Sequence, residues 1–308
     1  MSKSALFFPG QASQYVGMAR DLYEQSEEVR RLYELASDEI GEDIARLSFE
    51  GPAEELTRTR FTQPAILLHS LAALKLMGDN IPEFDFAAGH SLGEYGALAV
   101  AGAFSFEDAV RAVVRRAALM EEACRLNPGT MAATMGLTPE QAEQVCEEAS
   151  SAGTVVPANF NSSGQIVLSG DVKAVEKAAE LAKAAGAKRA ILLPVGGAFH
   201  SPLMEPARVG LEAFLATIQI AAPKKPVVAN VTAQPTTDPS EIRSLLVRQV
   251  TAPVRWAQTM AWLSEAGVTR ISEIGPGKVL TGLAKREMKP EVSRNFDTLD
   301  DITAGVAA

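Results

Sequence analysis

Short apolar runs alternate with longer stretches of helical periodicity over the first third of the chain. The run from Ala5 to Phe8 predicts a strand, and the periodic stretches from Asp21 to Leu35 and from Gln63 to Met77 predict helices. A further short strand is predicted near Phe86 to Ala88. Because strands that alternate with helices are typical of a parallel sheet, we expect an α/β domain.

The pattern changes between residues 128 and 197. It predicts a strand, a helix, two strands, a long Ala-rich helix and a last strand: Met131 to Met135, Pro139 to Ala149, Val155 to Ala158, Gln165 to Ser169, Val172 to Ala185 and Arg189 to Leu193. This βαββαβ order is that of a ferredoxin-like unit. Pro128-Gly129 and Gly196-Gly197 are the predicted hinges at its two ends.

The α/β pattern returns after Pro202. It predicts a strand from Val227 to Asn230, a helix from Ser240 to Val250 and a strand from Arg270 to Ile274. Residues 1–127 and 198–308 are therefore predicted to form one discontinuous large domain. Residues 128–197 are predicted to form a small domain inserted into it.

Composition and charge exclude several classes of protein. The chain has 308 residues, 47% of them hydrophobic, which is ample for a sizeable core. Its net charge of -9 argues against broad contact with nucleic acid. The first apolar run stops at Pro9 and no long uncharged apolar stretch follows, so we expect neither export nor membrane insertion.

The chain has few residues that could bind a metal or form disulfides. Cys124 and Cys146 are the only cysteines, and the chain has three histidines. These are too few for a disulfide framework or a four-ligand metal site. We therefore expect a cytoplasmic enzyme without a metal.

Gly89-His90-Ser91-Leu92-Gly93 is a Gly-x-Ser-x-Gly motif between a predicted strand and the helical stretch from Glu94 to Ala101. This is the position of a nucleophile elbow, in which a sharp turn exposes the serine hydroxyl. The alternative is that the glycines merely form a tight strand-to-helix connection. We predict an α/β-hydrolase-like large domain carrying an inserted ferredoxin-like domain, with Ser91 as the nucleophile.

A serine nucleophile needs a base, and the candidates are His69, His90 and His200. His69 lies within an apolar helix, and the ring of His90 should point away from the adjacent serine. His200 lies in a loop of small residues that precedes a helix, so we favour it. By the chain order of hydrolases, Asp108 or Asp171 would orient the base, but neither has a supporting context. Pattern alone leaves the third member unassigned.

Five segments, in this order, resemble the malonyl-CoA:acyl carrier protein transacylase family: Phe8 to Gln14, Thr62 to Ala65, Gly89 to Tyr95, Gly197 to Met204 and Glu273 to Leu280. The resemblance covers residues 4 to 298. It implies transfer of a malonyl group from malonyl-CoA to the phosphopantetheine thiol of acyl carrier protein, through a Ser91 acyl-enzyme with ping-pong kinetics. This reaction would supply extender units for fatty acid biosynthesis without a cofactor.

The resemblance also implies roles for individual residues around the reacting serine. It makes His200 the base and the backbone carbonyl of Gln249 the group that orients it, which would explain the missing acid. The backbone N–H groups of Gln11 and Leu92 would form the oxyanion hole. The family pattern usually has glycine at Ala12, so a positive φ there would strain the loop by about 1 kcal/mol or more.

On the acyl side, the resemblance matches Arg116 to the residue that binds the free carboxylate of malonate. The helix pattern supports this choice, because Arg111 and Arg115 lie away from the apolar stripe whereas Arg116 flanks its buried edge. A guanidinium fork there would select malonyl over acetyl groups. Phe199 would exclude an α-methyl branch, and Gln63 and His90 are further predicted substrate contacts.

Three alternatives remain open from the sequence. A serine thioesterase or esterase would share Ser91 and His200 but would have no need for Arg116. A trans-acting acyltransferase of a polyketide synthase would use the same chemistry for another pathway. A non-catalytic module that binds carrier protein would not need both Ser91 and His200. We expect a monomer whose partners are malonyl-CoA and acyl carrier protein.

Overall fold

The computed structural model describes residues 2–306, so Met1 and the last two residues of the predicted large domain lie outside the described residues. The strands are β1 Lys3–Phe8, β2 Phe86–Gly89, β3 Thr130–Met135, β4 Val155–Ser162, β5 Gln165–Gly170, β6 Arg189–Leu192, β7 Val227–Val228, β8 Pro235–Thr236, β9 Val268–Ile274 and β10 Val292–Phe296.

The helices surround these strands in two groups, one on each sheet. They are α1 Arg20–Gln25, α2 Glu27–Ile40, α3 Ile44–Glu50, α4 Ala53–Leu56, α5 Thr59–Met77, α6 Gly93–Val100, α7 Phe106–Leu126, α8 Pro139–Ala149, α9 Val172–Ala184, α10 Glu205–Leu215, α11 Pro239–Gln249, α12 Trp256–Glu265, α13 Val279–Glu287 and α14 Leu299–Val306. No helix within residues 2–306 has both the length and the apolarity needed to cross a bilayer.

The larger sheet has the strand order β10-β9-β1-β2-β7-β8. Its first five strands run parallel, and β8 pairs antiparallel with β7. The predicted parallel sheet is therefore confirmed. In the centre Phe8 pairs with Gly89 and Phe7 with Glu273, so the loops that follow β1, β2 and β9 leave the sheet at one edge. Ligand sites of open α/β folds lie at this edge.

The central strand β1 is buried on both faces, as expected of a strand with helices on either side. Leu6 and Phe8 belong to the core cluster that packs on α5 and α7, whereas Ala5 and Phe7 belong to a second cluster around Trp256. The rings of Phe7 and Trp256 meet edge to face at 5.1 Å. This packing fixes the strand from which the loop carrying Gln11 departs.

The smaller sheet is antiparallel, with the order β4-β5-β3-β6. Its elements follow the predicted order βαββαβ. Helices α8 and α9 pack on one face through small residues, because Ala142, Ala174 and Ala178 are fully buried against Leu168. An isolated bridge between Asn159 and Val254 joins β4 to the larger body.

Several details of the sequence prediction were wrong, including the strand predicted from Val227 to Asn230, which ends at Val228. The single helix predicted from Asp21 to Leu35 is two helices, because Ser26 is extended at φ -139° and its side chain accepts from Val29 N–H as the N-cap of α2. The strand β10 was not predicted, since its side chains are mostly half-buried and show little alternation.

Candidate active site

Ser91 occupies the turn between β2 and α6 with a left-handed backbone, at φ 53°. The turn needs both glycines of the motif. A Cβ at Gly89 would lie 2.0 Å from the carbonyl group of Gly93, and a Cβ at Gly93 would lie 2.2 Å from the carbonyl oxygen of Phe8. The serine N–H donates to Asn230 Oδ1 at 2.7 Å. A strained conformation held by close packing and a buried bond is typical of a functional position.

His200 lies on the loop before α10, also at positive φ, 56°. Its Nε2 is 2.8 Å from Ser91 Oγ, and its Nδ1 is 2.8 Å from the backbone oxygen of Gln249. Because that carbonyl only accepts, the proton lies on Nδ1 and leaves Nε2 free to take the serine proton. Burial, and secondly the charge of Arg116, lower the pKa of His200 to about 3. The imidazole is therefore neutral, which is the form that can accept a proton.

The two aspartates considered as partners of the base lie elsewhere. Asp108 is in the first turn of α7, where its N–H is capped by Ser105 Oγ at 3.0 Å. Asp171 accepts from Thr154 N–H at 2.7 Å, within the smaller sheet. A backbone carbonyl thus holds the position that a carboxylate has in a serine triad.

Two backbone donors lie on either side of the serine turn. Gln11 follows β1, and Leu92 precedes α6 at its N-terminus, where the helix dipole favours negative charge. Pairing of Phe8 with Gly89, and a bond from His90 N–H to the Phe8 oxygen at 3.0 Å, bring the two loops together. Within residues 2–306, neither the Gln11 nor the Leu92 N–H has a protein acceptor. Both are therefore unpaired donors among the described residues.

Arg116 is fully buried on α7, with 1% of its surface exposed. Its Nη2 donates to Ser91 Oγ at 2.9 Å and to Gln249 Oε1 at 3.0 Å, and its Nη1 donates to Gln63 Oε1 at 2.5 Å. Nε finds no partner in the described part of the chain. Burial lowers the pKa of the guanidinium. On the same helix, Arg111 and Arg115 are exposed, as the helix pattern indicated.

The other predicted substrate contacts lie around this core. Gln63 is buried and holds Arg116. Phe199 precedes the base and is 6% exposed. His90 points away from the serine, because its Nε2 bonds Asn161 Oδ1 of the smaller sheet at 2.9 Å and its ring lies 5.8 Å from that of Trp256. His90 thus lies at the junction of the two sheets.

Glu94 and Asn230 complete the site and had no predicted role. Glu94 Oε2 accepts from Asn230 N–H at 3.0 Å and from Gln249 Nε2 at 2.8 Å, and Asn230 Nδ2 donates to Gly89 O at 2.6 Å. Burial raises the pKa of Glu94 to about 7. The signal for Glu94 was a charge in an otherwise apolar helical stretch. Asn230 follows β7 at the same sheet edge as the serine, and this was its only signal.

Ala12 has φ 81°, in the left-handed region that favours glycine. This is the positive φ at which the sequence predicted strain. Its N–H donates to Gln14 Oε1 at 2.9 Å. The loop carrying Gln11 is therefore strained at the residue that follows the donor. In the described residues, no group of three or more His, Cys, Asp or Glu side chains is placed to hold a metal ion.

Comparison with known proteins extends these observations to almost the whole chain. Residues 6–296 match the family model described as acyl transferase domain. The malonyl CoA-acyl carrier protein transacylase of Bacillus subtilis is 47% identical over 300 residues, which cover 97% of this chain and 93% of that protein.

Solved structures are equally similar. The acyl-carrier-protein-S-malonyltransferase of Bartonella henselae superposes with a TM-score of 0.94 at 44% identity, over 100% of this chain and 99% of that one. A malonyl-transacylase in complex with its type II PKS acyl-carrier protein gives a TM-score of 0.93 at 40% identity, over 99% of both chains.

Proposed function

Because this chain belongs to the acyl transferase family, we propose that it moves a malonyl group from malonyl-CoA to the phosphopantetheine thiol of an acyl carrier protein. It is an acyltransferase, and its relatives are malonyl CoA-acyl carrier protein transacylases. The observation that carries the proposal is a single hydroxyl, Ser91 Oγ, placed 2.8 Å from a base and 2.9 Å from a buried guanidinium.

In the first half-reaction Ser91 attacks the thioester carbonyl while His200 Nε2 takes its proton. The Nδ1–H bond to the Gln249 oxygen keeps the imidazole in the tautomer that can accept this proton. The tetrahedral oxyanion is held by the N–H groups of Gln11 and Leu92, which are worth about 3 to 4 kcal/mol each in comparable sites. Coenzyme A then leaves with the proton from His200.

Arg116 selects the acyl group in this proposal. Its guanidinium already bonds the nucleophile's hydroxyl, so an acyl chain on that oxygen would bring a terminal carboxylate within its reach. Two parallel N–H···O bonds would hold a malonyl carboxylate, whereas an acetyl group would form neither bond. Phe199 beside the base would crowd an α-methyl branch, and Gln63 would fix the guanidinium plane.

The second half-reaction runs the same steps toward a new thiol. The phosphopantetheine thiol of the carrier protein gives its proton to His200 and attacks the malonyl-serine ester. The ester C–O bond then breaks, and Ser91 Oγ leaves with that proton from His200. Release of coenzyme A before this attack gives ping-pong kinetics. Neither half-reaction, as proposed, calls for a metal or an organic cofactor.

The finer description of the fold is part of the proposal. We assign residues 1–127 and 198–308 to an α/β-hydrolase-like domain and residues 128–197 to a ferredoxin-like domain. The support is the serine turn at the edge of the parallel sheet and the strand order of the smaller sheet. A monomer in the cytoplasm remains a prediction from the sequence, and so does a contact of His90 with substrate.

Supply of a polyketide synthase is the second candidate function. One similar structure is a malonyl-transacylase bound to a type II PKS acyl-carrier protein, at 40% identity. The chemistry is the same for both pathways, so the acceptor decides between them. Transfer rates to a fatty-acid carrier protein and to a polyketide carrier protein, measured side by side, separate the two.

The direct test is intact-mass measurement after mixing the protein with malonyl-CoA or acetyl-CoA. We expect a malonyl adduct that is lost in Ser91→Ala and retained in Ser169→Ala, a buried serine of the smaller sheet. Arg116→Ala should shift the donor preference toward acetyl, whereas Arg111→Ala on the exposed side of α7 should not. A wild-type protein that forms no malonyl adduct would refute the function, and an unchanged preference would refute the role of Arg116.

A further inference from the structure

Glu94 is a buried carboxylate that the reaction, as described, does not use. It lies three residues after the nucleophile, in the first turn of α6, and only 3% of its surface is exposed. Burying a carboxylate is costly unless it is paired or well hydrogen-bonded. Its two hydrogen bonds come from the Asn230 N–H and the Gln249 side chain.

The Gln249 amide joins Glu94 to Arg116. Its Oε1 accepts from Arg116 Nη2 at 3.0 Å. Its Nε2 donates to Glu94 Oε2 at 2.8 Å and to the backbone oxygen of Ser91 at 3.0 Å. A reversed amide would turn N–H toward the guanidinium and oxygen toward the carboxylate. The cation and the carboxylate therefore hold one orientation of the amide between them.

The direct partners of Arg116 are all neutral, namely Gln63, Ser91 and Gln249. Glu94 and Glu273 are the buried carboxylates in the described part of the chain, and Glu273 is engaged with the N-terminal end of α13 through Leu280 and Thr281 N–H. Glu94 is therefore the negative charge available to balance the guanidinium before substrate binds.

We propose that ionised Glu94 competes, through the Gln249 amide, with the substrate carboxylate for the charge of Arg116, and so sets the preference for malonyl over acetyl donors. This inference rests on the proposed function, because it needs an acyl group that carries a carboxylate. Glu94 is a specificity-determining residue here, and it does not touch the reacting atoms.

The competition makes donor preference depend on pH. The charged and titratable groups near Glu94 are Arg116 on α7, Tyr95 on its own helix, and His200 beyond Gln249. Burial raises the pKa of Glu94 to about 7, and the hydrogen bonds from Asn230 and Gln249 oppose this rise together with the charge of Arg116. A malonyl carboxylate paired with Arg116 weakens that opposition, so Glu94 takes up a proton. By linkage, protonated Glu94 favours the malonyl donor, and its ionisation above pH 7 disfavours it.

The test compares kcat/KM for malonyl-CoA and acetyl-CoA between pH 6 and pH 8. In the wild type the malonyl-to-acetyl ratio should be about threefold to tenfold higher at pH 6 than at pH 8, since a coupling of about half a pKa unit to one pKa unit corresponds to this factor. In Glu94→Gln, which keeps an oxygen acceptor for both bonds, the ratio should be high and flat. Glu273→Gln, a matched buried carboxylate away from Ser91, should behave as the wild type. Ionisation of His200 should change kcat/KM equally for both donors, so its effect cancels in their ratio.

A second measurement uses the wild type alone and does not depend on how a variant folds. Near pH 7, formation of the malonyl-enzyme should take up a fraction of a proton that formation of the acetyl-enzyme does not, as followed with a pH indicator in weak buffer. A flat wild-type ratio, equal proton uptake with both donors, or an unaltered pH dependence in Glu94→Gln would overturn the inference. Absence of any malonyl adduct in the wild type would instead overturn the proposed function.

Discussion

The edge of the parallel sheet and the smaller antiparallel sheet are built on opposite principles. At the edge, Ala12, Ser91 and His200 all have positive φ, and buried polar side chains meet one another there. On the smaller sheet, from Thr130 to Leu192, the described residues include no non-glycine residue at positive φ, and small apolar side chains fill the core. Of these two regions, backbone strain thus lies at the edge that carries the reacting groups, and the regular sheet supplies rigidity beside it.

Removing a reacting group is the strongest test of this contrast, because activity should fall much more than the stability of the fold. We expect His200→Ala to lower the rate of acylation about 10³-fold or more, since general-base catalysis and activation of Ser91 are lost together. Single-turnover mass measurements give this rate. His69→Ala is the matched control, because His69 is buried and bonded to Asp297 O but lies outside the site. It should lower stability while leaving acylation within a few-fold, and equal losses in both variants would contradict the separation.

The converse experiment changes the regular sheet. Leu168 on β5 is fully buried among the alanines of α8 and α9. Leu168→Ala should lower the free energy of unfolding by about 2 to 5 kcal/mol, because it removes apolar contacts and leaves a cavity. Urea denaturation measures the loss. The malonyl-to-acetyl ratio of the folded fraction should not change, and a shifted ratio would show that this sheet shapes the acyl pocket.

The same contrast explains which parts of the molecule could be read from the sequence. The strands and helices are local patterns, and the parallel sheet and the βαββαβ order followed from them. Where a local pattern failed, the reason was also local: the cap at Ser26 divided a helix, and the half-buried side chains of β10 showed little alternation. The site is different, because Arg116 bonds Gln63, Ser91 and Gln249, which lie 53, 25 and 133 positions away in the chain.

No spacing rule predicts such contacts. Resemblance supplied Arg116 and Gln249, whose side chains meet only when α7 and α11 are packed. In the sequence, only its position at the end of a predicted strand distinguished Asn230. Its role depends on the hydrogen bonds that it makes to Ser91 and Gly89 in the folded chain. Polar networks between distant elements depend on tertiary packing, and residue patterns do not record that packing directly.

The buried carboxylate of Glu94 should make the free energy of unfolding depend on pH. Its pKa is about 7 in the folded protein, above its ordinary value of 4.5, so the folded state binds more protons between these values. The contribution of Glu94 to stability is therefore present at pH below 4.5 and is lost as pH rises through 7. Glu94→Gln should stabilise the protein by about 2 to 3 kcal/mol more at pH 8 than at pH 4.5. Urea denaturation at both values checks this, and a pH-independent difference would contradict it.

The smallest effect concerns Ala12, which carries strain at the same edge but no chemistry. Relief of its positive φ in Ala12→Gly gains about 1 kcal/mol, and the added freedom of the unfolded chain offsets about 0.4 to 1 kcal/mol. We expect a change in stability within about 0.5 kcal/mol by urea denaturation. Acylation should stay within about twofold, because the pairing of Phe8 with Gly89 fixes the strand end from which the loop carrying Gln11 departs. Ala19→Gly, at φ 61° at the N-cap of α1, is the control for backbone relief alone. A tenfold change in rate for Ala12→Gly, with none for Ala19→Gly, would mean that the strain itself aims the oxyanion donor.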